Sequence, residues 1–345
     1  MIEKRHQVTI YDLAKELNTT PSTVSRALQD HPRISEKTKK AVKDLAEKWN
    51  YHIDPIAQHL RTGKSHVIAV VVPRIDRKFF ASAIGGIESV AYSKGYDVII
   101  SQSNESYEKE KAVMKTVEKK KVDAVAVSLA AQTTDYSHFL PFIQKGIPIV
   151  FFDRIPEELD VSKVEVDNFK GAYQAVQHLI EQGCTRIGHL AGPLTLSVYR
   201  HRLEGYKQAL ADNGLSYNPD WVIPDSITYD RGEAAAEAII AMTDRPDGIY
   251  SAGDFSAMGL MLTLKKNLIK IPQDIAIVGF ANELFDDFSE PGLTSVDLFS
   301  ADLGLKAAEI IFEQMEQKDE NRVLKHIKLE PNLVVRSSSL KKGNL

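Results

Sequence analysis

The segment Pro21-Ser-Thr-Val-Ser-Arg-Ala-Leu28 brings several hydroxyl groups and one guanidinium to the start of a predicted helix. Val24 and Leu28 repeat at helical spacing, so we expect them to face the protein interior. The remaining side chains lie on exposed or flanking faces, and they are Ser22, Thr23, Ser25, Arg26 and Gln29. Short hydroxyls can hydrogen-bond phosphates or base edges, and an arginine can bind guanine through two hydrogen bonds. The pattern favours a helix that reads a nucleic-acid duplex over an ordinary solvated helix.

Side chains around this helix have the chemistry of phosphate binding, which sets the register of a protein on a duplex without reading its sequence. They are Tyr11, Arg33, Ser35, Lys37, Thr38 and Lys39. Residues 1–66 contain 12 Lys and Arg against 8 Asp and Glu, whereas residues 67–345 contain 31 against 39. A basic N-terminal segment followed by an acidic remainder is typical of a protein whose N-terminal segment binds a polyanion.

A second group of polar side chains directly follows apolar runs of the chain, namely Asp153-Arg154, Asp254 and Asn282. Phe79 and Phe80 follow the first such run by one loop and can supply an aromatic wall. Arg202 lies at the start of a predicted helix, where a cation is disfavoured unless a polar or anionic group holds it. These residue types are those of a small-molecule site. A strand-end carboxylate such as Asp254 can equally be only a helix cap.

The elements that position the first group are three short predicted helices within residues 8–52. Their apolar stripes are Leu13, Ala14 and Leu17, then Val24 and Leu28, then Val42, Leu45, Ala46 and Trp49. A capping side chain precedes each helix: Thr9, with Asp12 three residues later; Thr20, followed by Pro21; and Ser35. Each capping oxygen can accept a hydrogen bond from a free amide of the first turn. Only residues 18–20 separate the first two helices, which predicts a helix-turn-helix.

The elements that position the second group alternate between short apolar runs and amphipathic helices. The predicted strands are His66–Pro73, Asp97–Ser101, Val122–Leu129, Pro148–Asp153, Arg186–Leu190, Gly248–Ser251 and Ile275–Phe280. Runs that are apolar on both faces fit a parallel sheet covered by helices, so the fold class is doubly wound α/β. We predict two similar lobes, with chain crossings near residues 154–168, 282–298 and 325–332. Ligands of such sheets bind beyond the carboxyl ends of the strands, which face the cleft between lobes.

The chain resembles the lactose-repressor/purine-repressor (LacI/GalR) family from about Thr9 to Ser337. The motifs that carry the resemblance are Val8–Ala14, Pro21–Leu28, Ile34-Ser35, Lys37-Thr38, Asn50-Tyr51 and Leu60–Gly63. It implies a helix-turn-helix head, a hinge helix and a periplasmic-binding-protein-like body. It also implies a homodimer in which each head reads a half-site of a pseudo-palindromic double-stranded DNA operator, under the control of a small-molecule effector.

The resemblance places the effector along the cleft, against Phe79, Phe80, Asp153, Arg202, Asp254 and the Ala281-Asn282 pair. Two positions depart from the family pattern. The family usually has Asn-Asp where this chain has Gly253-Asp254, and two acidic residues where it has Ala281-Asn282. The loss of a carboxylate that accepts hydrogen bonds from hydroxyls disfavours a plain neutral sugar. Asn282 donates and accepts, so a modified or charged sugar is compatible.

Residues 51–65 form a linker with helix potential, since Asp54 can cap, Pro55 can occupy the first helical position and Gly63 can end the helix. Two turns are too short to be stable alone. The resemblance implies a hinge helix that folds on DNA, with Leu60 as an apolar wedge in a central minor-groove base step. Packing of Leu60 against its dimer mate is compatible with that role. The C-terminal residues lack a leucine heptad, which favours a dimer over a tetramer.

Several other classes of protein are disfavoured. Thr62-Gly-Lys-Ser65 lacks the first glycine of a phosphate loop, and the chain has no Gly-x-Gly, Gly-x-Ser-x-Gly or His-Glu-x-x-His motif. Cys184 is the only cysteine, and His52 and His59 lack a third ligand, so we expect no disulfide, metal, cofactor or catalytic residue. The N-terminus lacks a signal-like apolar run, and no stretch reaches the roughly 20 apolar residues of a membrane span. We expect a cytoplasmic protein.

These features bear on three possible functions. A transcription regulator, most simply a repressor, agrees with all of them. A sugar-binding transport protein would share the two-lobed body but would need an export signal and no helix-turn-helix. A sugar-modifying enzyme would need a catalytic constellation, which the sequence does not show. The predicted domains are residues 1–53 for DNA binding, 54–65 for the hinge and 66–345 for effector binding and dimerisation.

Overall fold

The computed structural model of the protein describes residues 8–51, 63–317 and 322–341. The chain divides into two compact units at the bond between Ser65 and His66. Leu60 and most of the predicted hinge, residues 54–62, lie outside the described residues. Within them, no helix is both long and apolar enough to cross a bilayer.

The first unit consists of three helices, as the sequence predicts. They are α1 (Ile10–Glu16), α2 (Pro21–Leu28) and α3 (Glu36–Lys48). All three predicted caps are confirmed. Thr9 and Asp12 form a reciprocal capping box, Thr20 accepts a hydrogen bond from the Thr23 amide, and Ser35 accepts one from the Thr38 amide. These bonds satisfy amides that have no partner inside the helix, so each helix begins at a residue fixed by local sequence.

The turn between α1 and α2 produces the sharp crossing expected of a helix-turn-helix. Asn18 adopts a left-handed conformation with a φ of 47°, which a short polar side chain tolerates better than most. The Thr19 amide donates to the Ala14 carbonyl at 2.9 Å and closes the end of α1. Leu13, Val24 and Val42, one from each helix, are fully buried at the centre of this unit. Apolar burial at this junction therefore fixes the angle at which α2 is presented.

The second unit contains two six-stranded sheets, one in each lobe. Lobe 1 has the order β11-β5-β4-β3-β1-β2, and every neighbouring pair is parallel. Its strands are β1 (Val67–Val72), β2 (Asp97–Gln102), β3 (Ala124–Val127), β4 (Ile149–Phe152), β5 (Ser162–Val166) and β11 (His326–Leu329). Lobe 2 has the order β12-β10-β9-β8-β6-β7, in which only β12 is antiparallel to its neighbour. Its strands are β6 (Ile187–Leu190), β7 (Val222–Ile223), β8 (Gly248–Ser251), β9 (Ala276–Phe280), β10 (Thr294–Asp297) and β12 (Asn332–Val334).

Helices cover both faces of the sheets, which confirms the doubly wound α/β class. They are α4 (Lys78–Ser93), α5 (Tyr107–Lys120), α6 (Leu140–Gln144), α7 (Asn168–Glu181), α8 (Ser197–Asp212), α9 (Tyr229–Ala241), α10 (Asp254–Lys266) and α11 (Ser300–Glu316). Short 3-10 turns occur at Ser137–Phe139, Pro219–Trp221 and Leu284–Asp286. The chain passes between the lobes after β5, after β10 and between β11 and β12. These points fall within the predicted crossing segments or one residue beyond them.

Helices α4 and α11 pack closely, and this contact sets the position of the α4 N-terminus. A Cβ on Gly86 would lie 2.1 Å from the Ala301 carbonyl oxygen, and one on Gly304 would lie 1.9 Å from the Ala83 carbonyl oxygen. Both distances are far below van der Waals contact, so the two backbones approach to a distance that only glycine permits. Phe79 and Phe80, in the first turn of α4, are thereby held against the cleft.

All seven predicted strands are present, with bounds that differ by at most two residues. Five strands were missed: β5, β7, β10, β11 and β12. β5 contains Lys163 and Glu165, and β11 contains His326 and Lys328, so neither has the continuous apolar run of a central strand. β11 lies at the edge of its sheet, where one side of the strand is unpaired and polar side chains are tolerated.

Candidate functional site

The exposed face of α2 is the first candidate site. The Thr20 hydroxyl lies 2.9 Å from the Ser22 hydroxyl and 3.0 Å from the Thr23 hydroxyl, so the cap also orients both side chains. Arg26 is exposed, and its guanidinium has no hydrogen bond or ion pair within the described part of the chain. Ser25 is half-buried beside it. The face opposite the buried Val24 therefore offers hydroxyl donors and one unengaged guanidinium.

The predicted phosphate-contacting residues differ in how available they are. Tyr11 is 71% exposed, and the side chains of Arg33 and Lys37 are exposed. The hydroxyls of Ser35 and Thr38 lie 2.8 Å apart in the cap of α3, which leaves each a further hydrogen bond to make. Lys39 is different, since its ammonium binds Glu36 at 2.6 Å and the residue is buried. We infer that Lys39 stabilises α3, in contrast to the exposed cations.

The second candidate site is a cavity of about 250 Å³ between the lobes of the second unit, at the carboxyl ends of β1, β4, β8 and β9. Five of the six predicted effector residues line it, and they are Phe79, Phe80, Asp153, Arg202 and Asp254. The sixth, Asn282, lines an adjacent cavity of about 230 Å³. The Asn282 side chain donates to Asp297 at 2.9 Å and accepts from Arg336 at 2.8 Å. Its amide is thus engaged on both sides.

Arg202 is the most constrained side chain of the cavity, since it is only 6% exposed. Its Nε donates to Asn168 Oδ1 and its Nη1 to the Ala252 carbonyl, both at 2.8 Å. The guanidinium carbon lies 3.8 Å from the centroid of the Phe280 ring. Among the described residues, no carboxylate lies within ion-pair distance of it. The sequence predicted that a polar or anionic group holds Arg202. Two polar groups do so, the Asn168 side-chain oxygen and the Ala252 carbonyl, and the Phe280 ring packs against the guanidinium.

Asp153 faces the same cavity with an unusual backbone and no side-chain partner among the described residues. Its φ of 60° places it in the left-handed region, a conformation that costs energy for a residue with a side chain. Burial raises the pKa of its carboxyl to about 6, against the opposing charges of Arg154 and Arg202. The neighbouring Arg154 instead binds Glu105 at 2.6 Å. A buried carboxyl without a partner is available to accept hydrogen bonds from a ligand.

Asp254 lies deeper, at the first residue of α10. Its carboxylate accepts hydrogen bonds from the Ser295 hydroxyl at 2.7 Å and the Glu283 amide at 3.1 Å. Asp254 does not act as the helix cap that was its alternative, since α10 has no side-chain cap, and it ties α10 to two other segments instead. The fully buried Asp286 carboxyl adjoins it and has no other described partner. Burial, and then the Asp254 charge, raise the pKa of Asp286 far above its ordinary value, which favours the protonated form of this carboxyl.

Polar and cation–π contacts join the two lobes near the cavity. The Lys78 ammonium donates to the Asn282 carbonyl at 2.6 Å. The guanidinium carbon of Arg77 lies 4.1 Å from the centroid of the Phe255 ring. Glu157 of lobe 1 forms an ion pair with Arg200 of lobe 2, and its other carboxylate oxygen lies 3.8 Å from His201 Nε2 of the same lobe. The lobes are thus held together by polar and cation–π contacts that a ligand in the cavity can strengthen or break.

Comparisons with known proteins decide the family. Residues 9–54 match the lacI family of bacterial regulatory proteins, and residues 176–339 match a periplasmic binding protein-like domain. The HTH-type transcriptional repressor PurR of Vibrio campbellii is 30% identical over 331 residues, which cover 96% of this chain and 98% of that repressor. This chain belongs to the LacI family. It is a DNA-binding, ligand-responsive transcriptional repressor by family, and these relatives are regulators and not enzymes.

Other similar proteins match this LacI-family chain over 96–97% of its length. The NTD biosynthesis operon regulator NtdR of Bacillus subtilis is 30% identical over 332 residues, which cover 96% of this chain and 99% of NtdR. The transcriptional regulator CelR in complex with cellobiose is 26% identical, covers 96% of this chain and 99% of its own, and has a TM-score of 0.71. The lac repressor dimer bound to operator and the anti-inducer ONPF has a TM-score of 0.87. At 21% identity over 97% of this chain and 100% of its own, it shows the fold alone.

Several cavity residues of this LacI-family chain were missed from its sequence. They are Arg74, Arg77, Glu105, Tyr199, Phe255, Phe280 and Glu283. Arg74 and Arg77 follow β1 directly, so the rule that ligands bind beyond strand ends would have found them had it been applied to the whole loop. Asn168, which holds Arg202, follows the missed strand β5. Because β5 was not predicted, the rule that ligands bind beyond strand ends could not point to Asn168.

Proposed function

We propose that this chain represses transcription as a homodimer that binds a pseudo-palindromic operator, under the control of a sugar or sugar derivative bound in the 250 Å³ cavity. The observation that carries the proposal is the geometry of α2. It begins at a fixed cap, packs through Val24 against the other two helices and leaves Arg26 exposed without a partner among the described residues. A short helix so presented fits the major groove, where Arg26 would bind guanine.

In this proposal the head, residues 1–53, makes two kinds of contact. Ser22, Thr23, Ser25 and Arg26 read base edges or the adjoining phosphates. Tyr11, Arg33, Ser35, Lys37 and Thr38 contact phosphates and set the register. Residues 54–65 would form the hinge helix, with Leu60 as a wedge between base pairs of the minor groove. The body, residues 66–345, would dimerise and bind the effector.

The cavity supports the sugar assignment through its mixture of surfaces. Phe79 and Phe80 meet edge to face at 5.1 Å between ring centroids and supply an apolar wall for a sugar ring. Asp153 can accept hydrogen bonds from hydroxyls, and Arg202 can donate to ring or hydroxyl oxygens. The solved CelR complex holds cellobiose, a sugar, in a protein of the same fold.

Control would follow from the contacts that join the lobes. An effector that strengthens or breaks the contacts made by Lys78, Arg77 and Glu157 would shift the lobes relative to each other. Because a two-turn hinge helix is marginal, a small change in lobe spacing across the dimer would order or melt it. Induction and corepression are the two signs of this single coupling.

The experiment is selection of bound duplexes from a random library by the full-length protein, with and without a panel of sugars and sugar phosphates. The proposal predicts one enriched pseudo-palindromic motif whose recovery changes with at least one panel member. Recovery of no motif under any condition rejects it. Turnover of a panel member would favour an enzyme instead.

A further inference from the structure

Four lysines stand within seven residues at the end of α5. Residues 115–121 read Lys-Thr-Val-Glu-Lys-Lys-Lys, so four cations accompany one acid. The body has the opposite sign as a whole, since residues 67–345 contain 31 Lys and Arg against 39 Asp and Glu. Lys115, Lys119, Lys120 and Lys121 are exposed, and none of them forms an ion pair with another described residue. Positive charge is therefore concentrated at one place on an otherwise acidic body.

The stability of α5 does not explain this run of lysines. The helix dipole favours cations in the last turn, which covers Lys119 and Lys120. Lys115 lies four residues before Lys119 on the same face of the helix, where two like charges repel. Lys121 follows the helix with a φ of 53°, in the left-handed region that favours glycine or asparagine. Two of the four lysines thus stand where local stability favours another residue type.

Acidic groups near the run do not cancel its charge. Glu118 forms an ion pair at 2.6 Å with Lys145, which follows α6. Asp123 accepts a hydrogen bond at 3.0 Å from the backbone amide that precedes β1. Asp97, the first residue of β2, is accompanied by the exposed Lys94 three residues earlier. Together with the four lysines of the run, these positions hold six lysines against three acids, so their net charge stays positive.

The run lies at the end of the lobe 1 sheet where the chain arrives from the first unit. β1 begins at Val67, directly after the boundary between the two units. The Asp123 amide donates to the Val67 carbonyl at 2.9 Å, and Lys121 is two residues earlier. The backbone of Lys121 therefore lies within about 12 Å of the start of β1. Because the carboxyl ends of the same parallel strands face the cavity, these lysines lie at the opposite end of the sheet.

Chain length limits how far this end of lobe 1 can be from the first unit. Tyr51 is the last described residue of the first unit, and His66 is the first residue of the second. The chain between them spans at most about 50 Å when fully extended. A duplex bound by the first unit is thus tethered near the lysines, and the charge of its phosphates is complementary to theirs.

We propose that the surface formed by Lys94, Lys115, Lys119, Lys120 and Lys121, here the lysine surface, is a second DNA contact that binds phosphates of the duplex held by the head. The inference rests on the proposed function, since it needs that duplex. Lysine binds phosphate as a point charge on a flexible stem and reads no base. The lysine surface would add affinity and salt dependence, and α2 would supply the sequence preference.

The test combines Lys119→Gln, Lys120→Gln and Lys121→Gln in the full-length protein. Binding to the selected operator and to a scrambled duplex is titrated between about 50 and 250 mM salt. The proposal predicts at least about tenfold weaker binding of both duplexes at the low-salt end, with the ratio between them unchanged. The slope of log affinity against log salt should fall in magnitude by at least about two, because each lost phosphate contact removes about one counterion.

Two matched variants separate a contact with DNA from a change in net charge. Lys207→Gln, Lys266→Gln and Lys270→Gln together remove the same charge from exposed lysines of lobe 2. They should leave affinity and slope as in wild type, because exposed charges far from a duplex are screened. Replacing residues 119–121 by arginine keeps the charge and should keep wild-type binding. All these side chains are exposed, so each variant is expected to melt at the wild-type temperature.

Three results would overturn the inference. They are equal losses in the two glutamine variants, no loss in either, and a loss confined to the selected operator with an unchanged slope. Failure of the proposed function looks different. If wild type prefers no duplex under any ligand condition, the proposed function is rejected and the inference with it. If wild type prefers its operator and the variant at residues 119–121 binds both duplexes as well as wild type, the inference alone is rejected.

Discussion

Asn168 Oδ1 accepts a 2.8 Å hydrogen bond from Arg202 Nε, and Asn168 is itself fixed by donating from Nδ2 to the Val166 carbonyl at 3.0 Å. Asn168 is buried, at 2% exposure, at the end of β5 where the chain crosses between lobes. The crossing segment thus determines the orientation of the guanidinium that faces the cavity. We predict that Asn168 positions Arg202 for effector binding.

Replacing Asn168 should weaken effector binding. In Asn168→Ala the Nε of a buried Arg202 loses its acceptor, which should lower effector affinity about tenfold and the free energy of unfolding by about 1–3 kcal/mol. Calorimetric titration of the best-binding sugar derivative and urea unfolding measure the two effects. Asn267→Ala is the control, since the Asn267 side chain bonds within its own helix end, to the Thr263 carbonyl. Unchanged affinity in Asn168→Ala would show that Arg202 needs no such support.

Arg26 and Arg33 should differ in the kind of loss they cause. Arg26→Ala should lower discrimination between the selected operator and a single-base variant by about 1–3 kcal/mol, because a base contact is removed. Arg33→Ala should weaken all duplexes alike and reduce the salt dependence of binding by about one counterion. Binding titrations at several salt concentrations separate the two outcomes. If Arg26→Ala keeps the operator preference of wild type, its base-reading role is wrong.

Leu60 carries a prediction taken from the sequence alone. Leu60→Gly should weaken operator binding far more than random-sequence binding. The reason is that the hinge helix and its wedge bind the minor groove only when both heads occupy correctly spaced half-sites. Leu268→Gly is the matched control, since Leu268 is 88% exposed and has a φ of 61°, where glycine is well tolerated. Equal losses on both duplexes in Leu60→Gly would argue against the wedge.

The raised pKa of the buried Asp286 carboxyl predicts a dependence of stability on pH. The folded-state pKa of Asp286 is raised, so folded protein keeps a proton that the unfolded chain releases above about pH 4. Stability from this pair is therefore fully present at acid pH and falls as pH rises towards the raised pKa. Asp286→Asn mimics the protonated form and should remove that fall.

The expected difference between wild type and Asp286→Asn grows with pH, by on the order of 1–3 kcal/mol between pH 5 and pH 8. Urea unfolding at four pH values measures it. Asp302→Asn removes an exposed carboxyl of α11 and serves as the control with no such trend. A difference that is constant over this range would mean that the folded protein does not keep Asp286 protonated.

Local signals in the sequence predicted the head almost completely. Each helix begins at a cap whose side-chain oxygen accepts a hydrogen bond from the amide three residues later. The caps are Thr9, Thr20 and Ser35, and contacts this local can be predicted from the sequence. The small residue Ala27, fully buried in the same core, was missed because the apolar stripe of α2 was assigned to Val24 and Leu28. Binding of α2 to DNA remains a prediction.

The cavity was predicted in outline, and its missing parts have a common cause. Phe79, Asp153 and Arg202 were found because strand ends and helix starts converge in a parallel sheet. Asn282 was expected at the cleft, but its side chain is held by Arg336, 54 positions later in the chain. A contact of that sequence separation is set by tertiary packing and leaves no local pattern.

The central claim is that this chain prefers one DNA sequence, and competition binding tests it most directly. The full-length protein is titrated against its selected duplex and a scrambled duplex of the same composition, at about 150 mM salt, with and without the best-binding sugar derivative. The account predicts that the selected duplex binds about a thousandfold or more tightly in one of the two ligand conditions. Equal affinity for both duplexes in both conditions would contradict it.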